Sequence, residues 1–543
     1  MKKIVTTVIV LILIACCCAG FFAYEKMKED RFNSEYISET ELFDTKGNEA
    51  AIIYDFSLQS EHGLRSGDHI YLPIGWVNDY INDKFFFDKD SGRLIYTLPD
   101  EILYFDIRQE QSAQNPRFIS KNDTVYLSAE FTAAHSGISY QEFTQNEAAR
   151  IYISDDWEPY QTAKLNKDTV SRTGESTLQR CIHEIAEGEC VRIVKKFDSG
   201  WSRILTEDGW PGYVETDCLG DEETVTPVNS FAPPVYEHKL MTEEVILAWH
   251  QVTNMSANNA AAETFDSMKN VNVISPTWFS VTDNEGHISS LVSDTYIEEA
   301  HNRGLQVWAL VDNFSTEIST TKLLSSLESR ITLIDGLIQE TTSHGIDGIN
   351  VDFEQLEEAC GPYFAEFIRE LSVSCRNNGL VLSVDNPNMQ TFNIFYDRRA
   401  QAECADYVIN MGYDEHYSGG EAGSVASIPF VQEGIELSLN EVPARQLING
   451  IPFYTRLWLV SDSTTSSNAL GLGAAQEWVN SNHVQLQWHE DIGQYYGHFG
   501  DEYMWLEDME SLSLKIDLAR SNHLGGIACW KLGLEVPEVW DLF

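Results

Sequence analysis

The most informative segment for the fold class of this chain is GIDGINVDFE, residues 345–354. Its apolar and polar residues alternate, and alternate residues of a β-strand point to opposite faces. The apolar face suits packing against helices, whereas the polar face suits the inside of a barrel. The apolar set is Ile349, Val351 and Phe353, and the polar set is Asn350, Asp352 and Glu354.

Seven further apolar segments alternate with helical stretches in the last 300 residues or so. Together with Gly345–Glu354 they predict an α/β fold, a (β/α)8 TIM barrel over residues 241–543, with its functional site at the carboxyl ends of the strands. The other predicted strands are Val245–Val252, Val271–Val281, Leu305–Asn313, Leu380–Asn386, Tyr407–Tyr413, Gln446–Phe453 and Gly526–Leu532.

Two carboxylates share the inward face of the central segment, Asp352 and Glu354. Neighbouring carboxylates resist double ionisation, so the pKa of one should rise and leave it protonated near neutral pH. Such an acid can protonate a departing oxygen. We therefore predict acid catalysis at the mouth of the barrel.

The same segment resembles the Asp-Gly-x-Asp-x-Asp-x-Glu signature of family 18 glycoside hydrolases, the chitinase-like barrels. The resemblance covers roughly residues 241–543. It departs at Asn350, where the family usually has the middle aspartate. The matching residues are Asp347, Gly348, Asp352 and Glu354.

Three later elements extend the resemblance. Tyr413 and Asp414, in NMGYD, look like the Met-x-Tyr-Asp element of the sixth strand. Trp530 looks like the tryptophan of the eighth strand, which forms the floor of the sugar site. The run WLEDMES with Glu507, followed by Lys515, looks like an element of the spore-wall subgroup that acts on peptidoglycan. Glu507 is therefore a predicted substrate contact.

The resemblance implies a substrate-assisted mechanism. Glu354 would donate a proton to the leaving oxygen, and the N-acetyl carbonyl of the substrate would attack the anomeric carbon. Asp352 would orient the acetamido group and Tyr413 would hydrogen-bond its carbonyl oxygen. Trp530 would stack on the sugar, while Asp414 could contact the sugar or the carboxylates of the fourth strand.

Asn350 is the position at which the mechanism of the family is not expected to apply unchanged, because an amide replaces the usual carboxylate. It is a predicted site residue on the inward face, and we expect its amide to donate a hydrogen bond to Asp352. We further expect an active site with an altered pH profile, so that Asn350→Asp moves the acidic limb of the pH–rate curve. Asp347 has the opposite parity and is predicted to be structural.

The N-terminus carries a targeting signal. Lys2 and Lys3 precede an apolar run from Ile4 to Ala23 that is long enough to span a bilayer. We predict a transmembrane anchor over residues 1–24, and a single-pass protein of the cell membrane with its bulk outside the cytoplasm. The alternative is a lipoprotein anchored at Cys16.

Two smaller modules precede the barrel. Residues 45–160 repeat a strand–helix–strand pattern, with Tyr71 and Tyr126 in equivalent places. This α+β region resembles the stalk domain at the N-terminus of copper amine oxidases, without a histidine cluster for copper. Residues 168–220 resemble a bacterial SH3-like β-barrel, and residues 221–240 are predicted to form a linker.

The net charge of the chain limits the classes of molecule that it is expected to bind. The formal net charge is −48, from 84 acidic and 36 basic residues, which disfavours nucleic acid and favours an uncharged glycan. No cysteine or histidine spacing indicates a metal site, and no cofactor motif is present. A disulfide among Cys181, Cys190 and Cys218 is left open.

These observations predict a monomeric cell-wall glycosidase. The expected substrate is a glycan that contains N-acetylglucosamine, either peptidoglycan or chitin-type oligomers. The alternative is a carbohydrate-binding or morphogenetic protein that kept the barrel without turnover.

Overall fold

The computed structural model describes residues 32–461 and 465–543. These residues form two compact units. The first consists of the described residues up to Phe85 together with Phe105–Pro233, and the second consists of Phe86–Tyr104 together with Pro234–Phe543.

Eight parallel strands close into a barrel in the second unit, because the first strand pairs with both the second and the eighth. The predicted (β/α)8 barrel is confirmed, with every predicted strand in place. A short strand, Ile288–Ser290, adds to the second strand in the antiparallel direction. The barrel strands are, in chain order, Val245–His250, Val273–Val281, Gln306–Asp312, Gly348–Asp352, Val381–Pro387, Tyr407–Met411, Leu447–Pro452 and Gly526–Trp530.

Helices alternate with these strands, and local signals set their ends. The helix before the fourth strand begins where the side chain of Ser326 accepts a hydrogen bond from the backbone N–H of Ser329, and it ends at Gly345 with φ 69°. The α-helices of this unit are Ala261–Ser267, Asp294–His301, Thr320–Ser325, Leu327–His344, Gly361–Asn377, Arg398–Cys404, Ile428–Ser438, Leu472–Ser481 and Met509–Ser521.

The fourth strand shows the predicted two-faced pattern. Ile349 and Val351 are fully buried, and the ring of Phe353 stacks on Phe367 of the following helix with centroids 5.6 Å apart. The opposite face turns into the barrel, where Asn350 hydrogen-bonds with side chains of the first and second strands. The alternation of the sequence therefore separates the outer packing surface from the interior.

A five-stranded sheet is inserted between the seventh barrel strand and the helix Met509–Ser521. The sequence analysis did not anticipate it. Its first strand follows directly on the barrel strand, so residues 454–456 lie close to the barrel mouth. The inserted strands are Tyr454–Val460, Thr465–Gly471, Gln487–His489, Gln494–Phe499 and Glu502–Leu506, with the helix Leu472–Ser481 between the second and third.

The segment Phe86–Tyr104 belongs to the barrel unit, whereas the sequence placed it inside a domain over 45–160. A buried contact explains this assignment. Oδ2 of Asp88 accepts a hydrogen bond from the N–H of Leu327, at 3.0 Å, and lies 3.8 Å from the guanidinium of Arg330. The segment contributes to a small sheet with the strands Phe85–Asp88, Arg93–Thr97 and Ile102–Asp106.

The first unit begins with a seven-stranded sheet that holds the opening strands of both copies of the predicted repeat and the closing strand of the second copy, whereas the closing strand of the first copy, Arg93–Thr97, belongs to the small three-stranded sheet. The strands that carry Tyr71 and Tyr126 are neighbours, and each leads into a short helix, Ile74–Tyr80 and Ala129–Ala134. The likeness to an amine oxidase stalk domain stays a prediction. In spatial order the strands are Phe118–Lys121, Thr124–Ser128, His69–Pro73, Ser57–Ser66, Glu49–Tyr54, Ala149–Ser154 and Ser139–Phe143. Two further short helices in this unit are Glu39–Leu42 and Ile107–Glu110.

A second seven-stranded, antiparallel sheet covers residues 160–225, slightly more than the predicted module. Its core is a compact apolar cluster that includes Val191, Ile204 and Val214. The SH3-like identity stays a prediction. Cys181, Cys190 and Cys218 are all free thiols. The strands are Tyr160–Leu165, Thr169–Arg172, Cys181–Ile185, Cys190–Lys196, Trp201–Thr206, Pro211–Glu215 and Leu219–Val225.

Across residues 32–461 and 465–543, no helix combines the length and the apolar character that crossing a bilayer requires. The anchor predicted for residues 1–24 lies outside the described residues.

Candidate active site

Three aspartates form a row at the carboxyl ends of neighbouring barrel strands. Asp312 of the third strand pairs in register with Asp352 of the fourth. The register of the fourth and fifth strands, in which Val351 pairs with Val384, places Asp385 beside Asp352. All three side chains are buried, which is costly for charges that lack partners. The row therefore concentrates like charge at the barrel mouth.

The outer member of the row is fully hydrogen-bonded. Oδ2 of Asp312 accepts a hydrogen bond from the hydroxyl of Ser280 at 2.8 Å, and Oδ1 accepts one from the N–H of Phe314 at 3.0 Å. Burial raises the pKa of Asp312 all the same. Each oxygen of Asp312 is therefore already stabilised by one donor.

Glu354 lies just past the end of the fourth strand and is half-buried. The side chain of Asn313 holds its backbone from both sides, since it donates to the carbonyl and accepts from the N–H of Glu354, both at 2.9 Å. Burial, followed by the charges of Asp414 and Asp312, raises the pKa of Glu354 above its usual range. Glu354 is thus a positioned carboxyl that favours its protonated form.

Asp352 and Tyr413 bring two unsatisfied polar atoms to the same place. Among the described residues, neither Oδ1 of Asp352 nor the hydroxyl of Tyr413 has a hydrogen-bond partner, although both atoms are buried. Burial, then the charges of Asp385 and Glu354, raises the pKa of Asp352 well above its usual range. One acceptor and one donor can together bind an amide through its N–H and its C=O.

Aromatic rings surround this pair. Trp249 packs edge to face against Trp530, with centroids 5.8 Å apart, and against Tyr413, with centroids 6.5 Å apart. Tyr454 of the inserted sheet packs against Tyr413 from another side. Trp249 is fully buried, while Trp530 remains partly exposed. The predicted stacking of Trp530 on a sugar ring stays a prediction, with a partly exposed ring available for it.

Asp414 is tied to the inserted sheet. The hydroxyl of Tyr454 donates to Oδ1 of Asp414 at 2.5 Å, and the guanidinium of Arg456 lies 3.6 Å from the same oxygen. Nearly half of the Asp414 side chain is exposed, and its charge contributes to the raised pKa of Glu354. Of the two roles left open by the sequence, a sugar contact remains available, and the link to the fourth strand is electrostatic.

Asn350 has a different partner from the one expected. Its Nδ2 donates a hydrogen bond to Oδ1 of Asp385 at 2.8 Å, so the predicted hydrogen bond to Asp352 is wrong. Asn350 is also fully buried, which removes it from direct contact with a substrate. The sequence analysis missed Asp385, although a lone carboxylate within the apolar strand Val381–Pro387 was a usable signal.

The comparison with known families decides the assignment. Residues 252–535 match the model for glycosyl hydrolases family 18. The chain belongs to this family. The prediction of a glycosidase is therefore confirmed at the level of the family, while the identities of the modules before residue 252 are untouched by this match.

Bacillus subtilis (strain 168) has proteins that are similar to this chain. Its protein YdhD is 28% identical over 274 residues, which cover 47% of this chain and 65% of YdhD. Its cortical fragment-lytic enzyme is 27% identical over 242 residues, which cover 42% of this chain and 56% of that enzyme. This chain therefore spans less than two thirds of the length of either relative.

A solved structure shows the same fold. A chitinase from Chromobacterium violaceum superposes with a TM-score of 0.51 at 22% identity, and the match covers 55% of this chain and 98% of the chitinase. At that identity the likeness establishes the barrel fold and no more.

The structure places Glu507, another residue singled out by the family resemblance, away from solvent. Its side chain is buried against Lys515, with Oε2 accepting from Nζ at 3.0 Å and from the hydroxyl of Ser511 at 2.7 Å. Oε1 accepts a hydrogen bond from Gln494. Because its oxygens are occupied, the geometry favours a supporting role for Glu507 rather than the predicted substrate contact.

Asp347, the first residue of the family signature, supports the strand as expected. Its Oδ2 accepts from His301 and from the N–H of Val307, both at 2.8 Å. These contacts tie the start of the fourth strand to its neighbours, far from the carboxyl ends.

A groove of about 440 Å³ opens beside Glu354. Its walls are residues 313–316, 318–321 and 354–357, which are rich in hydroxyl groups. Phe314 contributes an exposed aromatic face. Glu354 therefore lines a polar groove at the mouth of the barrel.

Proposed function

We propose that this chain hydrolyses glycans that contain N-acetylglucosamine, with peptidoglycan as the first candidate, by substrate-assisted acid catalysis. One observation carries the proposal. A carboxyl with a raised pKa, Glu354, accompanies a buried acceptor on Asp352 and a buried donor on Tyr413, both without partners among the described residues. That acceptor and donor match the N–H and the C=O of an acetamido group.

The proposed reaction has two steps. In the first, Glu354 protonates the glycosidic oxygen, the bond from C1 to that oxygen breaks, and the acetamido carbonyl oxygen bonds to C1. In the second, water attacks C1 and gives a proton back to Glu354, while the bond from C1 to the acetamido oxygen breaks. Asp352 stabilises the positive charge on the acetamido N–H, and Tyr413 holds the acetamido oxygen in line.

The relatives favour peptidoglycan among the possible glycans. One relative, the cortical fragment-lytic enzyme of Bacillus subtilis, is named for the lysis of cortical fragments, and it is 27% identical over 242 residues. The chitinase of Chromobacterium violaceum shares the fold alone, so chitin oligomers are the second candidate.

The test is digestion of peptidoglycan and of chitin oligomers by the purified full chain, with the products identified by mass spectrometry. We expect new reducing ends from the wild type and a loss of about 100-fold or more in Glu354→Gln. Glu358→Gln, at an exposed position four residues further on, is the matched control. Identical products from the wild type and Glu354→Gln would remove Glu354 from the acid role.

The same experiment distinguishes a hydrolase from the alternative, a carbohydrate-binding protein without turnover. A carbohydrate-binding protein on this barrel would retain the glycans in a pull-down and release no reducing ends. The unsatisfied atoms of Asp352 and Tyr413 would then bind an acetamido group without turnover.

We also propose that the chain acts outside the cytoplasm. The basic and apolar residues 2–23 support a membrane anchor, and residues 160–225 supply a small β-module that could meet the wall. Fractionation of cells that carry the wild type or Cys16→Ser tests this proposal. Membrane association in both favours the single-pass anchor, whereas release of Cys16→Ser alone favours the lipoprotein.

A further inference from the structure

The amide of Asn350 has only one possible orientation in its surroundings. Its Oδ1 accepts hydrogen bonds from Nε1 of Trp249 and from the hydroxyl of Ser275, both at 2.9 Å. Both of these groups are donors here, so the oxygen of the amide must face them. Nδ2 then faces Asp385, to which it donates at 2.8 Å. Position 350 is consequently a neutral donor, directed at the fifth strand.

That hydrogen bond divides the roles of the two oxygens of Asp385. Oδ1 accepts from Asn350 and has no need of a proton. Oδ2 is buried and has no partner among the described residues, and the same is true of Oδ1 of Asp352. No ion pair to a lysine, arginine or histidine is found for either carboxylate in residues 32–461 and 465–543.

Two such carboxylates cannot both be charged in a buried site, because their repulsion and their lost hydration add up. One proton shared by the pair satisfies both open oxygens. Asp312, the other carboxylate beside Asp352 in the row, is the poorer partner for this proton because both of its oxygens already accept a hydrogen bond, whereas Oδ2 of Asp385 accepts none among the described residues. Burial raises the pKa of Asp385 to about 8.

We propose that Asp385 is a positioning residue that holds a proton shared with Asp352, so that the fifth strand supplies the carboxyl which position 350 lacks. This inference rests on the proposed function for its catalytic consequence. In the free site the proton lies between Oδ2 of Asp385 and Oδ1 of Asp352. When the acetamido N–H of the substrate approaches Asp352, the proton stays on Asp385 and Asp352 carries the negative charge. No proton leaves the pair, and the transfer from Glu354 to the leaving oxygen is separate.

Other titratable groups also face this pair and must be counted in any pH profile. Glu354 follows the fourth strand and Asp312 ends the third. Tyr413 follows the sixth strand, and Tyr396 lies in the loop after the fifth. The test must therefore change the location of one carboxylate while leaving these groups in place.

The exchange variant Asn350→Asp/Asp385→Asn relocates one carboxylate from the fifth strand to the fourth. It conserves the net charge and leaves the neighbouring titratable groups in place. With the full chain and peptidoglycan or a chitin oligomer, we expect Asp385→Asn alone to lower kcat by about 100-fold with KM nearly unchanged. The acidic limb of its pH–rate profile should move. The exchange variant should recover most of kcat, and Asp335→Asn, on an exposed helix position, should match the wild type.

A wild-type kcat and pH profile in Asp385→Asn would overturn the inference, as would an exchange variant that folds and recovers nothing. Thermal unfolding of each variant shows whether a loss of kcat is caused by misfolding. If the wild type cleaves neither glycan, the proposed function fails, and infrared difference spectroscopy at about pH 6 still decides the shared proton. We expect the double variant Asp352→Asn/Asp385→Asn to lose one protonated carboxyl band and one ionised carboxylate band, whereas the loss of two bands of the same kind would contradict the proposal.

Discussion

Nδ2 of Asn350 and Oδ1 of Asp385 lie 2.8 Å apart, and the hydrogen bond between them joins the fourth and fifth strands inside the barrel. The amide therefore serves Asp385 and leaves Asp352 without the donor that the sequence suggested. A position that departs from the family signature is compensated by a residue 35 places further along the chain. The chemistry of the site depends on this pairing and on Tyr413 and Asp414, whereas the buried charges of Glu366 and Lys515 bear on the stability of the barrel unit.

Tyr413→Phe removes the hydroxyl that would hold the acetamido oxygen. We expect kcat to fall by about 100-fold, as when one donor to a developing oxyanion is lost, with glycan binding retained. Steady-state kinetics on a chitin oligomer or a peptidoglycan fragment measure this change. Tyr417→Phe, at an exposed tyrosine four residues away, is the control. An unchanged kcat in Tyr413→Phe would show that the hydroxyl plays no part in the reaction.

Asp414→Asn should move the basic limb of the pH–rate profile to lower pH. Glu354 works as an acid only while it is protonated, so activity falls as the pH rises through its pKa. The charge of Asp414 helps to raise that pKa, and its removal lowers it. Asp501→Asn, on an exposed turn, should leave the profile in place. A basic limb that does not move in Asp414→Asn would show that the two carboxylates are not coupled.

Glu366→Gln should stabilise the barrel unit at neutral and higher pH. Burial raises the pKa of Glu366 from 4.5 to about 8, so the folded state binds a proton that the unfolded state releases over this range. Stability of the wild type therefore falls as the pH rises from about 4.5 to about 8, and the uncharged amide abolishes this fall. Thermal unfolding midpoints of the wild type and of Glu366→Gln, taken at about pH 5 and about pH 9, measure this difference in pH dependence. Glu433→Gln, at an exposed helix position, should keep the wild-type slope.

Lys515→Met leaves the carboxylate of Glu507 buried without its cation. Breaking a buried ion pair in this way costs about 3–5 kcal/mol of unfolding free energy. The double variant Glu507→Gln/Lys515→Met should lose less, since both charges are gone. Denaturant unfolding gives the energies, with Glu510→Gln as an exposed control. If Glu507→Gln instead raises KM and leaves stability unchanged, then Glu507 contacts the substrate after all.

Much of this molecule follows from local patterns. Alternation in Gly345–Glu354 separates the outward Phe353, which stacks on Phe367, from the inward Asn350 and Asp352. Such patterns are readable because strand geometry imposes a period of two on any sequence. The barrel and the separation of Asp347 from the site derive from it, whereas only the structure shows that the strand ends at Asp352 and leaves Glu354 beyond its end.

The partners of these residues do not follow from local patterns. Tyr454 and Arg456 reach Asp414 from a sheet that the sequence analysis did not anticipate, and no spacing rule links residues so far apart. The assignment of Phe86–Tyr104 to the barrel unit likewise depends on buried contacts between distant segments.

The sequence by itself determined the barrel, its family and the face on which Glu354 and Asp352 lie, because these depend on periodicity and on a short contiguous motif. The hydrogen bond from Asn350 to Asp385 and the burial of Glu507 became known from the folded structure alone. Which donor meets which acceptor depends on the register and curvature of neighbouring strands, and a burial penalty for charge arises only once the chain has closed around it.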